Sequence, residues 1–181
     1  MTLLRYNIEM FCIQTDTRYT EKLKTIISEK ILTDHEDIFM PVTERMKKIN
    51  GSWQKVLVPM FPGYLFASSD DPDELFQRLR TNLGKTIFRY VKLIRDDDYI
   101  IPLSSKDEQL ITELSDENHV LKASLGYIKG DQLCVTDGPL KGREGQVVRI
   151  NRHKRTAVLS IDFLGEKRNI TVSLEVVRKE P

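Results

Sequence analysis

Residues 38–67 read IFMPVTERMKKINGSWQKVLVPMFPGYLFA, with Asn50-Gly51 at the midpoint. Asn and Gly tolerate the positive φ angles of a two-residue turn. The β-prone residues on either side therefore predict two long strands folded back as an antiparallel hairpin. Upstream, IEMFCIQ (8–14) suits a buried strand, and Leu23, Ile26, Ile27 and Ile31 recur at the spacing of one apolar helical face. Downstream, DDPDELFQRLRTNL (70–83) opens a helix: Asp71 can cap it, Pro72 fits its first turn, and Glu74 can close a capping box. IFRYVKLI (87–94) reads as a strand. Ser105 with Glu108 opens a third helix carrying Leu110, Ile111 and Leu114. The order β, α, β, β, α, β, α predicts an α+β fold, with helices against a largely antiparallel sheet.

Residues 115–127, SDENHVLKASLGY, keep no period and read as a linker between an N-terminal domain, 1–114, and a C-terminal domain, 128–181. The latter offers five short strand candidates: DQLCVT, GQVVRIN, TAVLSIDF, RNITVS and LEVVRK. Turn-forming DGPLKGREG, NRHKR and LGEK separate them, and so many short strands suggest a small barrel.

Composition narrows the function. A hydrophobic share of 40% beside 30% charged residues supports a buried core in a soluble chain. No apolar run approaches the ~20 residues of a membrane span, and Met1–Met10 lacks the apolar core of a secretory signal, so a cytoplasmic protein is expected. Cys12 and Cys134, far apart in apolar segments, read as reduced core thiols. The net charge of +1 is uneven: residues 1–125 hold 17 Lys and Arg against 20 Asp and Glu, whereas residues 126–181 hold 11 against 7. That bias favours a polyanionic partner for the C-terminal part.

No catalytic set emerges. His35, His119 and His153 have no partner at metal-ligand spacing, and no nucleophile motif occurs. Asp96, Asp97 and Asp98 read as a solvated turn. GPLKGREG (138–145) lacks the Lys-Ser/Thr ending of a phosphate loop and leads into a strand. Neither an enzyme, a metal nor a cofactor is expected.

Two stretches together resemble the NusG family of transcription elongation factors. The hairpin ending in Phe61-Pro62-Gly63-Tyr64 is similar to the family's N-terminal (NGN) domain, and KGDQLCVTDGPLKGREGQVVRINRHKR (129–155) is similar to a KOW motif, with Gly145 at its characteristic glycine. The resemblance implies an NGN domain bound to the clamp helices of RNA polymerase, joined to a five-stranded, SH3-like KOW barrel. It places polymerase contacts at Met10, Phe11, Phe61, Pro62, Gly63 and Tyr64, the rings of Phe61 and Tyr64 being expected as exposed anchors. It also implies contact with non-template DNA near Arg78, Arg80, Thr81 and Asn82. Here Thr81 and Asn82 stand in the reverse of the family's order, and Met10-Phe11 replaces the usual Trp-Tyr, which suggests a specialised paralogue.

The tip INRHKRTAV (150–158) then acquires meaning, because general family members carry a plainer turn there. Arg152, His153, Lys154 and Arg155, with Arg149 and with Lys141 and Arg143 of the preceding turn, can follow the phosphates of a folded RNA. Such a combination looks most like the LoaP group, which the resemblance makes antiterminators that recognise an RNA hairpin. The expectation is a monomer holding polymerase with one domain and nascent RNA with the other. Two alternatives stay open: a housekeeping factor whose KOW domain binds Rho or a ribosomal protein, and a ribosome-associated KOW protein. Some family barrels refold into a helical hairpin. The β-branched residues Val135, Val147, Val158, Ile161, Ile170 and Val172 favour a lasting β form.

Overall fold

The computed structural model describes residues 8–84, 91–93, 95–96, 99–100 and 102–180, with side chains described at 8–84 and 102–178. The chain begins with β1 (Glu9–Thr15), α1 (Thr20–Lys30), β2 (Asp37–Phe39), β3 (Val42–Ile49), β4 (Ser52–Pro59), β5 (Tyr64–Ser69) and α2 (Pro72–Asn82). It continues through β6 (Val91–Leu93), β7 (Arg95–Asp96), β8 (Tyr99–Ile100), α3 (Ser105–Leu114), β9 (Val120–Leu121) and β10 (Ser124–Lys129). It ends with β11 (Gln132–Asp137), a 3-10 turn at Glu144–Gln146, β12 (Val147–Asn151), β13 (Thr156–Phe163) and β14 (Glu166–Glu180). This is the expected α+β class, an N-terminal sheet with helices followed by a C-terminal five-stranded sheet.

Two compact units emerge, Met1–Met40 with Pro62–Glu108, and Pro41–Phe61 with Gln109–Pro181. In the first, β2, β5, β1 and β6 form an antiparallel sheet in that order, with Phe11 opposite Ala67 and Cys12 opposite Phe66. Helix α1 packs on β2 and β5, and α2 packs on β5. Leu23, Ile27, Leu75 and Leu79 are sealed with Phe11, Ile13, Leu65 and Phe66. Each such side chain contributes roughly 1.5–3 kcal/mol by leaving water. Helix α2 starts as its sequence predicts: Pro72 sits in the first turn and the Glu74 N–H donates to Asp71 Oδ1 at 2.9 Å. The capping box does not close through Glu74, since Ser69 Oγ takes the Asp71 N–H at 3.0 Å. Helix α3 is capped one residue earlier than expected, by Ser104, whose Oγ accepts the Asp107 N–H at 3.2 Å.

The second unit holds the β3–β4 hairpin. Asn50 and Gly51 take φ values of 50° and 82°, and Ile49 pairs with Ser52 across them, so the turn forms where the sequence puts it. The expectation of two long strands over 38–67 is corrected to four, because Pro41 and Pro62 cannot donate to a ladder and the strands break there. Strand β3 pairs in parallel with β9, Val42 opposite Val120. Its backbone is tied to β14: Ser173 Oγ donates to the Glu44 carbonyl at 2.6 Å, and the Arg45 guanidinium to the Thr171 carbonyl at 2.8 Å. Those bonds join the hairpin to the C-terminal strand β14.

The five-stranded sheet runs β11-β10-β14-β13-β12. Its strands differ in two ways from the sequence reading. The presumed linker, 115–127, contains β9 and most of β10, whose alternation is hidden by Gly126 at a register shift. RNITVS and LEVVRK are one strand, since no Gly, Pro, Asn or Asp interrupts the chain at Ser173-Leu174. Strand β14 pairs antiparallel with β13 up to Ser173 and then in parallel with β10 from Leu174. Leu159, Phe163, Val172, Leu174 and Leu140 fill the core. Val135, Val147, Val158, Ile161, Ile170 and Val172 all sit in strands. Of the other expectations, most of the strand at 87–94, together with Asp97 and Asp98, lies outside the described residues. Cys12 and Cys134 form no disulfide, the first being buried and the second half-buried. Among the described residues no helix is long and apolar enough to cross a membrane, and no three His, Cys, Asp or Glu are grouped to hold a metal.

Candidate nucleic-acid interface

The basic tip is the turn between β12 and β13. Asn151 organises it: its Oδ1 accepts the Lys154 N–H at 2.9 Å, a side-chain substitute for a backbone turn bond. The Arg155 N–H then reaches the Arg152 carbonyl at 3.2 Å, and Arg155 takes φ 49°, which lets the chain re-enter β13. Arg152, His153 and Lys154 are thereby left exposed. Their side chains have no hydrogen bond or ion pair among the described residues. The two fixed charges are fully available to an anion.

Arg155 behaves differently from its neighbours. Its guanidinium lies 5.9 Å from the Trp53 ring centroid and 3.5 Å from the Glu175 carboxylate. Arg152, His153, Arg155, Glu175 and Val176 line an open concavity of about 440 Å³. Lys141 and Arg149 are exposed. Arg143 leaves the expected set: its guanidinium is engaged by Glu113 of α3 and, at 3.3 Å, by Gln146, so it ties the loop down.

The residues expected at the polymerase also divide. Phe11 and Phe61 are buried, 1% and 4% exposed, which corrects the reading of Phe61 as an exposed anchor. Phe61 stacks on Phe163 with ring centroids 4.3 Å apart and planes at 15°, the geometry of an offset pair within a core. Pro62 is exposed, while Met10 and Tyr64 are half-buried. Gly63 is buried at φ 83°, and a Cβ there would stand 3.0 Å from the Thr15 carbonyl, which explains the glycine.

At the expected DNA-contacting end of α2, Arg80, Thr81 and Asn82 are exposed. Arg78 is not available. Its guanidinium donates to the Ile31 carbonyl at 2.7 Å and to Glu36 at 2.5 Å, and the Glu36 side chain is only 2% exposed. Sequence reasoning passed over Trp53, Lys47 and Lys48, although a solitary tryptophan beside a Lys-Lys pair at a hairpin end was a usable signal.

A sheet-and-helix unit ahead of a five-stranded sheet with a cationic turn defines a KOW-type factor, and residues 129–162 match the KOW motif. Residues 9–112 match the family described as Transcription termination factor nusG, and the chain belongs to the NusG family. It is accordingly a NusG-like transcription termination/antitermination factor. The chain is similar to the Transcription termination/antitermination protein NusG of Thermus thermophilus, 25% identical over 96% of this chain and 99% of that one. The Rickettsia typhi protein of the same name is 25% identical over 87% of this chain and 80% of its own. The solved structure described as "Domain interaction in Thermotoga maritima NusG" is alike in fold, with a TM-score of 0.53 at 18% identity over 94% of both chains.

Proposed function

We propose that this protein is a processive antiterminator of the LoaP kind. It holds RNA polymerase through its NGN domain while the tip at Arg152–Arg155 grips a hairpin in the nascent RNA. The reading implies a non-enzymatic, monomeric factor working in the cytoplasm with the transcription complex. The observation that carries it is the pair of unpartnered cations Arg152 and Lys154 beside His153, projected by an Asn151-organised turn. The turn sets where the two cations stand, and phosphate contacts gain from fixed geometry. On the polymerase side, Pro62 is exposed and Tyr64 and Met10 are half-buried, so these three supply the accessible surface, whereas Phe61 and Phe11 are buried. The DNA contact narrows to Arg80, Thr81 and Asn82.

The test is transcription in vitro through a terminator, from templates with and without a leader hairpin. Readthrough that depends on both the protein and the hairpin supports the proposal. Equal effects on both templates, or enhanced termination, would identify a general factor whose KOW domain serves protein partners. Pull-down on core polymerase separates both from a ribosomal role, in which none is retained.

A further inference from the structure

Beside the tip, within the same unit, a second concavity of about 370 Å³ opens between the hairpin and β13. Its lining combines two chemistries. Lys47 and Lys48 of β3 and Lys154 of the tip bring positive charge, while Trp53, Met46 and Val58 bring apolar surface. Trp53 is 47% exposed, unusual for the largest side chain available. The Arg155 guanidinium sits near one side of its ring and is itself tied to Glu175, so the indole is held at the mouth of the groove.

We infer that this groove takes an unpaired nucleotide of the bound RNA, its base stacked on Trp53 and its phosphates met by Lys47, Lys48 and Lys154. An aromatic face next to a line of cations is the arrangement by which proteins hold single strands, since every base has a π-face and every link a phosphate. A duplex keeps its bases stacked on one another and cannot use the indole. Lys154 is shared with the tip, so one RNA can occupy both: phosphates of a folded segment at Arg152, an unpaired base at Trp53. The inference rests on the proposed RNA reading of the tip and adds a preference for unpaired flanks that tip charge alone does not produce. It also gives the hairpin a role in RNA binding separate from polymerase.

The experiment uses the full chain. Trp53 is its sole tryptophan, so indole fluorescence reports this groove alone. Titration with an RNA hairpin bearing a single-stranded adenylate flank should quench that emission, and the same hairpin with blunt ends should bind with little quenching. Trp53→Ala should weaken the flanked hairpin roughly tenfold by gel shift, leave the blunt one unchanged and keep the salt slope, whereas Trp53→Phe restores most of the affinity. Equal affinity for flanked and blunt hairpins, unaltered by Trp53→Ala but lost in Arg152→Glu/Lys154→Glu, would overturn the groove and leave the tip standing. Absence of binding by either hairpin, across varied stems, would overturn both.

Discussion

Arg152 and Lys154 owe their availability to what neighbouring cations already do. Arg143 is held by Glu113 and Arg155 by Glu175 and Trp53, so of the expected tip and turn cations Arg152, Lys154, Arg149 and Lys141 remain to face phosphate. With three or four phosphates engaged, log affinity should fall against log salt with a slope of roughly −2 to −4. Arg152→Glu/Lys154→Glu should abolish measurable hairpin binding in gel shifts, and Arg143→Ala should leave the slope unchanged. Gly63 offers a backbone counterpart. Its φ of 83° disfavours any side chain, and the Thr15 carbonyl and Thr17 methyl would crowd a new Cβ at 3.0 and 3.1 Å. Gly63→Ala should therefore cost about 1–3 kcal/mol, read as a lowered thermal midpoint. The motif's glycine was legible in the sequence. The burial of Phe61 beside it was not, because its stacking partner Phe163 lies in the other half of the chain.

Helix α2 shows a strong local signal joined to a distant bond. Its Asp71-Pro72 start was readable because cap and first turn are adjacent in sequence. The tie between Arg78 and Glu36 spans 42 residues and was invisible. Burial works to raise the pKa of Glu36, but hydrogen bonds from Arg78, the Thr33 N–H and Ser69 outweigh it, and the net shift is below the ordinary 4.5. A carboxyl with a depressed pKa in the folded state is bound more tightly by protons in the unfolded chain. Its contribution is complete above the ordinary value and drains as pH falls through the lowered one. Glu36→Gln should destabilise the protein at neutral pH by about 1–3 kcal/mol, since it removes the charged acceptor 2.5 Å from the Arg78 guanidinium and leaves only the Glu74 carboxylate, 3.9 Å away, as counter-charge. Chemical denaturation at falling pH should show the wild type losing this advantage and converging on the variant.

Across the entire chain, the proposed function puts polymerase contact and RNA contact on different residues, and the two should separate. Tyr64→Ala should weaken retention on core polymerase while sparing hairpin affinity, and the doubly reversed tip should do the opposite. Both variants should fail to carry polymerase past a terminator. A variant losing both affinities together would point to misfolding instead, visible in its thermal melt. Much of this organisation was readable before any coordinates. The Asn50-Gly51 turn, the α2 start, the strand-forming C-terminal third and the cationic tip each depend on residues within a few positions of one another, where backbone sterics and capping act directly. Tertiary structure decided the remainder. Strand β14 changes partner at Ser173, the hairpin joins the C-terminal strands through Glu44 and Arg45, and distant carboxylates choose which arginines are engaged. Strand partners and counter-charges are settled by contacts between residues far apart in the chain, and local propensity carries no record of them.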